Sequence, residues 1–261
     1  MTSHKPLFIP IILFLIFVGG CSSKKNPEAP SSSPSDQVAV TNQIQYPPEE
    51  EYNPKALDPK EIGTPMQAIK GLDQMIETYH LGKELTAEQT EHNSSLKQKI
   101  IRGTFDIKEL CRLSLGKHWD AISEAQQKHF VGMMTTLLET KAIFSKEQLK
   151  GTNKYYSISY KNESFDDETK EKATVFTDMH VPKEKITLNI TYKLLLTPYG
   201  WKIYDVVVDD ASLLTNYKFQ FNQIISTKGF DELFARMEKQ LNKIKGVPPD
   251  NNQTTGGAHQ K

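Results

Sequence analysis

Few residues in this chain stand at spacings that chemistry requires. Ser94-x-x-Lys97 and Ser114-x-x-Lys117 have the separation of a serine nucleophile and a lysine base, but no supporting motif accompanies either, and chance supplies such pairs in a Lys- and Ser-rich chain. His80, His92, His118, His129 and His180 are scattered, and a metal would need ligands converging from distant places. A solvated His118 beside a buried Trp119 is the simpler reading. Asp166-Asp167-Glu168 lacks the alternate spacing and glycine of a calcium loop and reads as a solvated turn. Cys111, between leucines at 110 and 113, has no neighbouring base and reads as a small buried hydrophobe. No P-loop, dinucleotide fingerprint, G-x-S-x-G or H-E-x-x-H occurs. Catalytic residues, a resident metal and a cofactor are therefore not expected.

The other cysteine says more. A basic start at His4 and Lys5 precedes an apolar run from Leu7 to Val18, broken by Pro10. That run falls short of the roughly 20 apolar residues a spanning helix needs and suits a secretory signal. It ends in Val18-Gly19-Gly20-Cys21, the small residues a lipoprotein peptidase admits beside a lipid-modified thiol. Residues 1–20 are expected to be a signal peptide and Cys21 the lipid attachment site, which would place the chain in the periplasm, anchored to a membrane. Ser22 is not an acidic retention signal, which favours the outer membrane. With Cys21 acylated, Cys111 has no disulfide partner.

Lys+Arg and Asp+Glu both total 32, and loss of the signal would remove only Lys5 from that balance. Nucleic acid, which selects a strongly basic surface, is not an expected partner. Residues 21–60 hold prolines at 27, 30, 34, 47, 48, 54 and 59 and the run Glu49-Glu50-Glu51, the composition of a disordered tether. About forty such residues have a typical end-to-end distance of roughly 35 Å and a reach of about 130 Å. Residues 246–261, with Pro248-Pro249 and Gly256-Gly257, read as a loose tail, leaving 61–245 as one domain.

The elements that must position any site are well marked. Thr64-Pro65-Met66-Gln67, Thr86…Gln89, Asp106…Glu109 and Ser123…Gln126 are helix-start signals, and Gly116 stops the third helix. Ile69, Leu72, Ile76 and Tyr79 form the first apolar stripe; Phe130, Met133, Met134, Leu137 and Leu138 form the fourth. The period then becomes two. Lys154 to Lys161 alternates weakly; Ala173, Val175, Thr177 and Met179 share one face, as do Ile186, Leu188, Ile190, Tyr192, Leu194 and Leu196. Pro198-Tyr199-Gly200 turns into a fourth strand, Trp201 to Val208, on which alternation places Asp205 beside Trp201 and Ile203. Two helices follow, Ser212 to about Thr227 and Phe230 to Lys243. The result is an α+β chain with a four-stranded antiparallel sheet. Periodicity alone does not separate a plain core from a cavity held open by the same apolar residues.

Phe105-Asp106, Leu115-Gly116-Lys117-His118-Trp119 and Ser123-x-x-Gln126-x-x-x-Phe130 resemble the helical half of the MlaC family of periplasmic phospholipid-binding proteins. Gly200-Trp201-Lys202-Ile203-Tyr204-Asp205-Val206 and Asp209-Asp210-Ala211-Ser212-Leu213-Leu214-x-Asn216-Tyr217-Lys218-x-Gln220-Phe221 continue the likeness. The resemblance covers roughly 64–243. It implies an NTF2-like fold with helices over the sheet enclosing an apolar pocket, and phospholipid as cargo moved between membranes. It further implies two partners: an outer-membrane lipoprotein complex and an inner-membrane ABC transporter with an MCE-domain subunit. The implied lipid-binding residues are Phe105, Leu110, Trp119, Phe130, Met134, Leu137, Val175, Ile190, Tyr192, Trp201, Ile203, Leu213, Tyr217 and Phe221. Two alternatives remain. One is a lipoprotein interaction or scaffold module with a filled core; the other is an enzyme on the same fold using Asp205. Familiar members are soluble, so a lipid anchor at Cys21 would be a departure.

Overall fold

The computed structural model describes residues 55–141 and 156–245, apart from 81, 83, 167, 183 and 184. The signal, Cys21, most of the tether, the tail and the start of the weakly alternating stretch at Lys154 lie outside the described residues.

Helices begin where a side chain caps them. Gln67 N donates to Thr64 Oγ1 at 3.2 Å and Thr64 N donates to Gln67 Oε1 at 2.8 Å, opening α1 (Pro65–Glu77) with proline at its first position. The same reciprocal pair at Thr86 and Gln89 opens α2 (Ala87–Thr104). Asp106 caps α3 (Ile107–Leu115), which stops at Gly116 and passes through a short 3₁₀ turn, Gly116–His118. Ser123 and Gln126 cap α4 (Glu124–Lys141).

An antiparallel meander follows: β1 (Ser157–Phe165), β2 (Lys172–Val181), β3 (Ile186–Thr197), β4 (Gly200–Val208) and β5 (Ala211–Ser212). The expected four strands gain this fifth, too short to show any period. It exists because Asp209 and Asp210 both adopt positive φ, 44° and 67°, the backbone that a two-residue hairpin turn requires. Asp209 also exchanges two bonds with Asn189, its N–H to the Asn189 carbonyl and its Oδ1 from the Asn189 N–H. Then α5 (Leu213–Lys228) starts at Ser212, and Gly229, at φ 83°, separates it from α6 (Phe230–Lys245).

Two β-bulges overrule simple alternation. Tyr160 pairs with Thr177 and Asn162 with Phe176, so Lys161 is the extra residue in β1. On β4, Ile203 pairs with Leu194 and Asp205 with Lys193, which leaves Tyr204 unpaired. Beyond that bulge the faces exchange. Val206, opposite Tyr192, joins the apolar face of Trp201 and Ile203, and Asp205 does not. The sequence expectation for Asp205 is corrected accordingly: alternation holds only while the ladder keeps register.

Candidate functional site: a seam between two apolar clusters

Buried apolar side chains fall into two clusters. The helical one joins α3, α4, α5 and α6 through Leu110, Cys111, Phe130, Met134, Leu137, Phe221, Leu233 and their neighbours. A chain of rings runs through it: Tyr217 stacks on Phe221 at 5.4 Å, Phe221 meets Phe130 edge-on at 5.5 Å, and Phe130 lies 5.9 Å from Phe234. The second cluster lies between the sheet and the pair α1 and α2, with Ile69, Leu72, Leu96 and Ile100 over Val175, Ile190, Tyr192, Leu194, Trp201, Ile203 and Val206.

The helix α2 divides them. Consecutive residues face opposite ways, Ile100 into the sheet cluster and Ile101 into the helical one, about 100° apart around the helix. Just beyond α2, Phe105 packs against both clusters. Polar ties hold this junction to β4. Asp106 N donates to the Ile203 carbonyl at 2.8 Å, next to a parallel bridge between Phe105 and Ile203. The Lys202 ammonium donates to the Gly103 carbonyl in the last turn of α2, where the helix dipole favours a cation. Burial lowers the Lys202 pKa, and Asp106 acts in the opposite sense.

The fourteen residues expected to bind lipid are divided by this seam. Leu110, Trp119, Phe130, Met134, Leu137, Leu213, Tyr217 and Phe221 belong to the helical cluster. Val175, Ile190, Tyr192, Trp201 and Ile203 belong to the sheet cluster. All thirteen are buried, and half-buried Phe105 is the one that touches both. The cover over the sheet cluster was not among them. Helix α1 is pinned to β1 by Met66 N donating to Glu163 Oε2 at 2.6 Å and by the Tyr160 hydroxyl donating to Asp73 Oδ2 at 2.6 Å. Trp201 Nε1 donates to the Gly63 carbonyl at 3.0 Å and holds the segment leading into α1. The stripe Ile69, Leu72, Ile76 signalled a buried face, but not what it covers.

Buried polar groups are mostly satisfied. Ser114 Oγ donates to the Leu110 carbonyl at 2.7 Å, so it is not poised as a nucleophile. Asn93 joins the His80 backbone at both its N–H and carbonyl, 2.8 and 2.9 Å. Asp205, only 2% exposed, accepts from Ser212 Oγ at 2.8 Å and Leu214 N at 2.9 Å, anchoring the start of α5. This arrangement makes Asp205 a structural cap. Two atoms break the pattern: the Tyr217 hydroxyl and Gln220 Oε1 are buried without a hydrogen-bond partner among the described residues. An orphaned hydroxyl costs about 1–3 kcal/mol. Burial pushes its pKa well up, with Cys111 adding to the effect, so the phenol stays protonated and is a donor.

Other candidates for chemistry lie apart. His118 Nε2 stands 3.1 Å from Asn222 Oδ1, and His129 stacks on Phe234 with Nε2 3.6 Å from Glu238. No group of three His, Cys, Asp or Glu that could hold a metal exists among the described residues. Cys111 is fully buried, and its pKa is raised well above the ordinary thiol value by burial first and Asp106 second.

A family model described as "MlaC protein" matches residues 70–239. No curated protein matches the chain. Among solved structures, the chain is similar to a phospholipid-binding protein from Ralstonia solanacearum, determined in complex with a phospholipid. That likeness has a TM-score of 0.54 at 18% identity and covers 69% of this chain and 97% of the other. At that identity it speaks for the fold.

Proposed function

This chain belongs to the MlaC family, and from that premise we propose that it binds a phospholipid with its acyl chains lying along the seam at Phe105. The observation that carries the reading is the divided core, in which apolar side chains on α2, α3, α5 and β4 face two clusters that share Phe105. A solved structure of similar fold, described as a phospholipid complex, supports the same reading. Burying one sixteen-carbon chain is worth on the order of 10 kcal/mol at about 0.8 per methylene. A free lipid therefore crosses water poorly, and a protein that hides the chains removes that barrier.

The protein on this reading is a carrier and not an enzyme. The fold and a lipidated Cys21 fit a periplasmic carrier tethered to the outer membrane, whose long linker lets the domain range between membranes. Its exchange partners would be a lipoprotein complex at the outer membrane and an MCE-domain ABC transporter at the inner one.

Native mass spectrometry of the exported full-length chain, with extraction of noncovalent lipid, tests the reading. One phospholipid per chain is expected, with occupancy lowered by Phe105→Trp, which crowds the seam. A folded chain that carries no lipid and takes none from vesicles would overturn it in favour of an interaction module with a filled core.

A further inference from the structure

The hydroxyl of Tyr217 is out of keeping with its surroundings. Its ring is fully buried, stacks on Phe221 and lies in the helical cluster near Cys111. A phenylalanine would fill the same space without leaving a polar atom unpaired. Elsewhere the interior obeys the pairing rule, with Asn93, Ser114, Thr135, Thr177 and Asp205 all hydrogen-bonded. One helical turn along α5, on the same side, Gln220 Oε1 is the second orphan. Both unpaired atoms thus belong to one stretch of one helix, three and six residues beyond Leu214, whose N–H the Asp205 cap accepts.

Resting on the phospholipid reading, we propose that the Tyr217 hydroxyl is the polar anchor for the cargo, donating a hydrogen bond to an acyl-ester carbonyl of the bound lipid. The chemistry selects the ester over the phosphate. A phosphate drawn into this cluster would need a cation, and no Lys, Arg or His is among the buried residues of the described chain. An ester carbonyl is neutral, accepts one good hydrogen bond and sits where the acyl chains join the glycerol. The headgroup then remains outside the cluster, and the protein reads the linkage while leaving the headgroup to solvent.

The test uses the full-length exported chain, stripped of noncovalent lipid. It is offered vesicles containing equal amounts of dipalmitoyl phosphatidylethanolamine and its di-O-hexadecyl ether analogue, which lacks both ester carbonyls. Native mass spectrometry reads the ratio loaded. The natural chain is expected to favour the diester by roughly three- to tenfold, the worth of one neutral hydrogen bond. Tyr217→Phe is expected to load both equally, with a melting temperature equal to or above that of the natural chain. A ratio near one in the natural chain overturns the anchor, as does a diester preference that survives Tyr217→Phe; either result assigns the hydroxyl to a buried water. Uptake of neither lipid by the folded natural chain instead defeats the phospholipid reading beneath it.

Discussion

Replacing Asp205 with alanine is expected to cost the fold about 3 kcal/mol, whereas Asp205→Asn costs about 1. The carboxylate is 2% exposed and accepts from Ser212 Oγ and Leu214 N, at 2.8 and 2.9 Å. Hydrogen bonds to a charged group contribute about 1.5–3 kcal/mol each, part of which offsets the desolvation of the carboxylate. Alanine removes both acceptors and leaves the Leu214 N–H unpaired at the start of α5. Asparagine keeps one oxygen for Leu214 N, loses the charge, and puts an N–H donor in place of the oxygen that accepted from Ser212 Oγ, which can accept in turn. For a chain of this size 3 kcal/mol corresponds to a fall of roughly 6–12 °C in Tm. Thermal and urea unfolding of both variants, with lipid content measured well below Tm, form the assay. Lipid loading of Asp205→Asn should match the natural chain, because the Tyr204 bulge turns the residue away from the apolar face. Equal costs for the two variants would refute the cap account. A loss of loading at full stability would return Asp205 to the site.

Gly229→Ala should destabilise by about 1–3 kcal/mol through backbone strain alone, since φ is 83° and an added methyl meets nothing within 4 Å; Gly229→Asn should cost as much, because ψ of 176° lies outside the left-handed region that Asn tolerates, both read by urea unfolding. Cys111 should resist iodoacetamide at pH 8 while the chain is folded and react once it unfolds, as read by peptide mass; labelling in the native state would contradict its burial. The Glu232 carboxylate is held below its ordinary range, chiefly by the hydrogen bond from Arg236. Its contribution to stability is therefore present above the ordinary carboxylate pKa and is lost as pH falls through the lowered one. NMR titration should show that depression, and Arg236→Gln should remove most of it, leaving the smaller pull of Lys228.

Much of this architecture is legible in the residues because capping is local. Thr64 with Gln67 and Thr86 with Gln89 start helices by bonds spanning three residues, so neither needs the rest of the chain to be understood. Gly116 and Gly229 stop helices for the same reason. The bulge at Tyr204 is different: nothing in Trp201 to Val208 marks the residue that β3 will leave unpaired, and one skipped residue turns Asp205 from an apparent pocket group into a helix cap. The division of the core was also hidden. Period shows that Leu137 and Ile190 are buried, but not that one faces helices and the other a sheet. That assignment depends on Ile100 and Ile101 pointing apart, which only the placement of α2 between the two layers can decide.

The junction itself suggests how a carrier on this fold would exchange its cargo. The ties between the helices and β4 are directional: Asp106 N to the Ile203 carbonyl, Lys202 to the Gly103 carbonyl, and Ser212 Oγ and Leu214 N to the Asp205 carboxylate. The contacts on either side are apolar, and apolar contacts fix area but not direction. A lipid chain entering at Phe105 replaces one apolar neighbour with another, while the polar ties keep α3 and α5 in register with the sheet. Cutting a tie should therefore change the rate of exchange more than trimming a methyl group does. Lys202→Met keeps the length of the side chain and removes its donor. On the carrier reading this variant should bind lipid with little loss of stability and release it to acceptor vesicles faster. Unchanged transfer rates, measured with a fluorescent phospholipid, would show that the junction holds the fold together and plays no part in exchange.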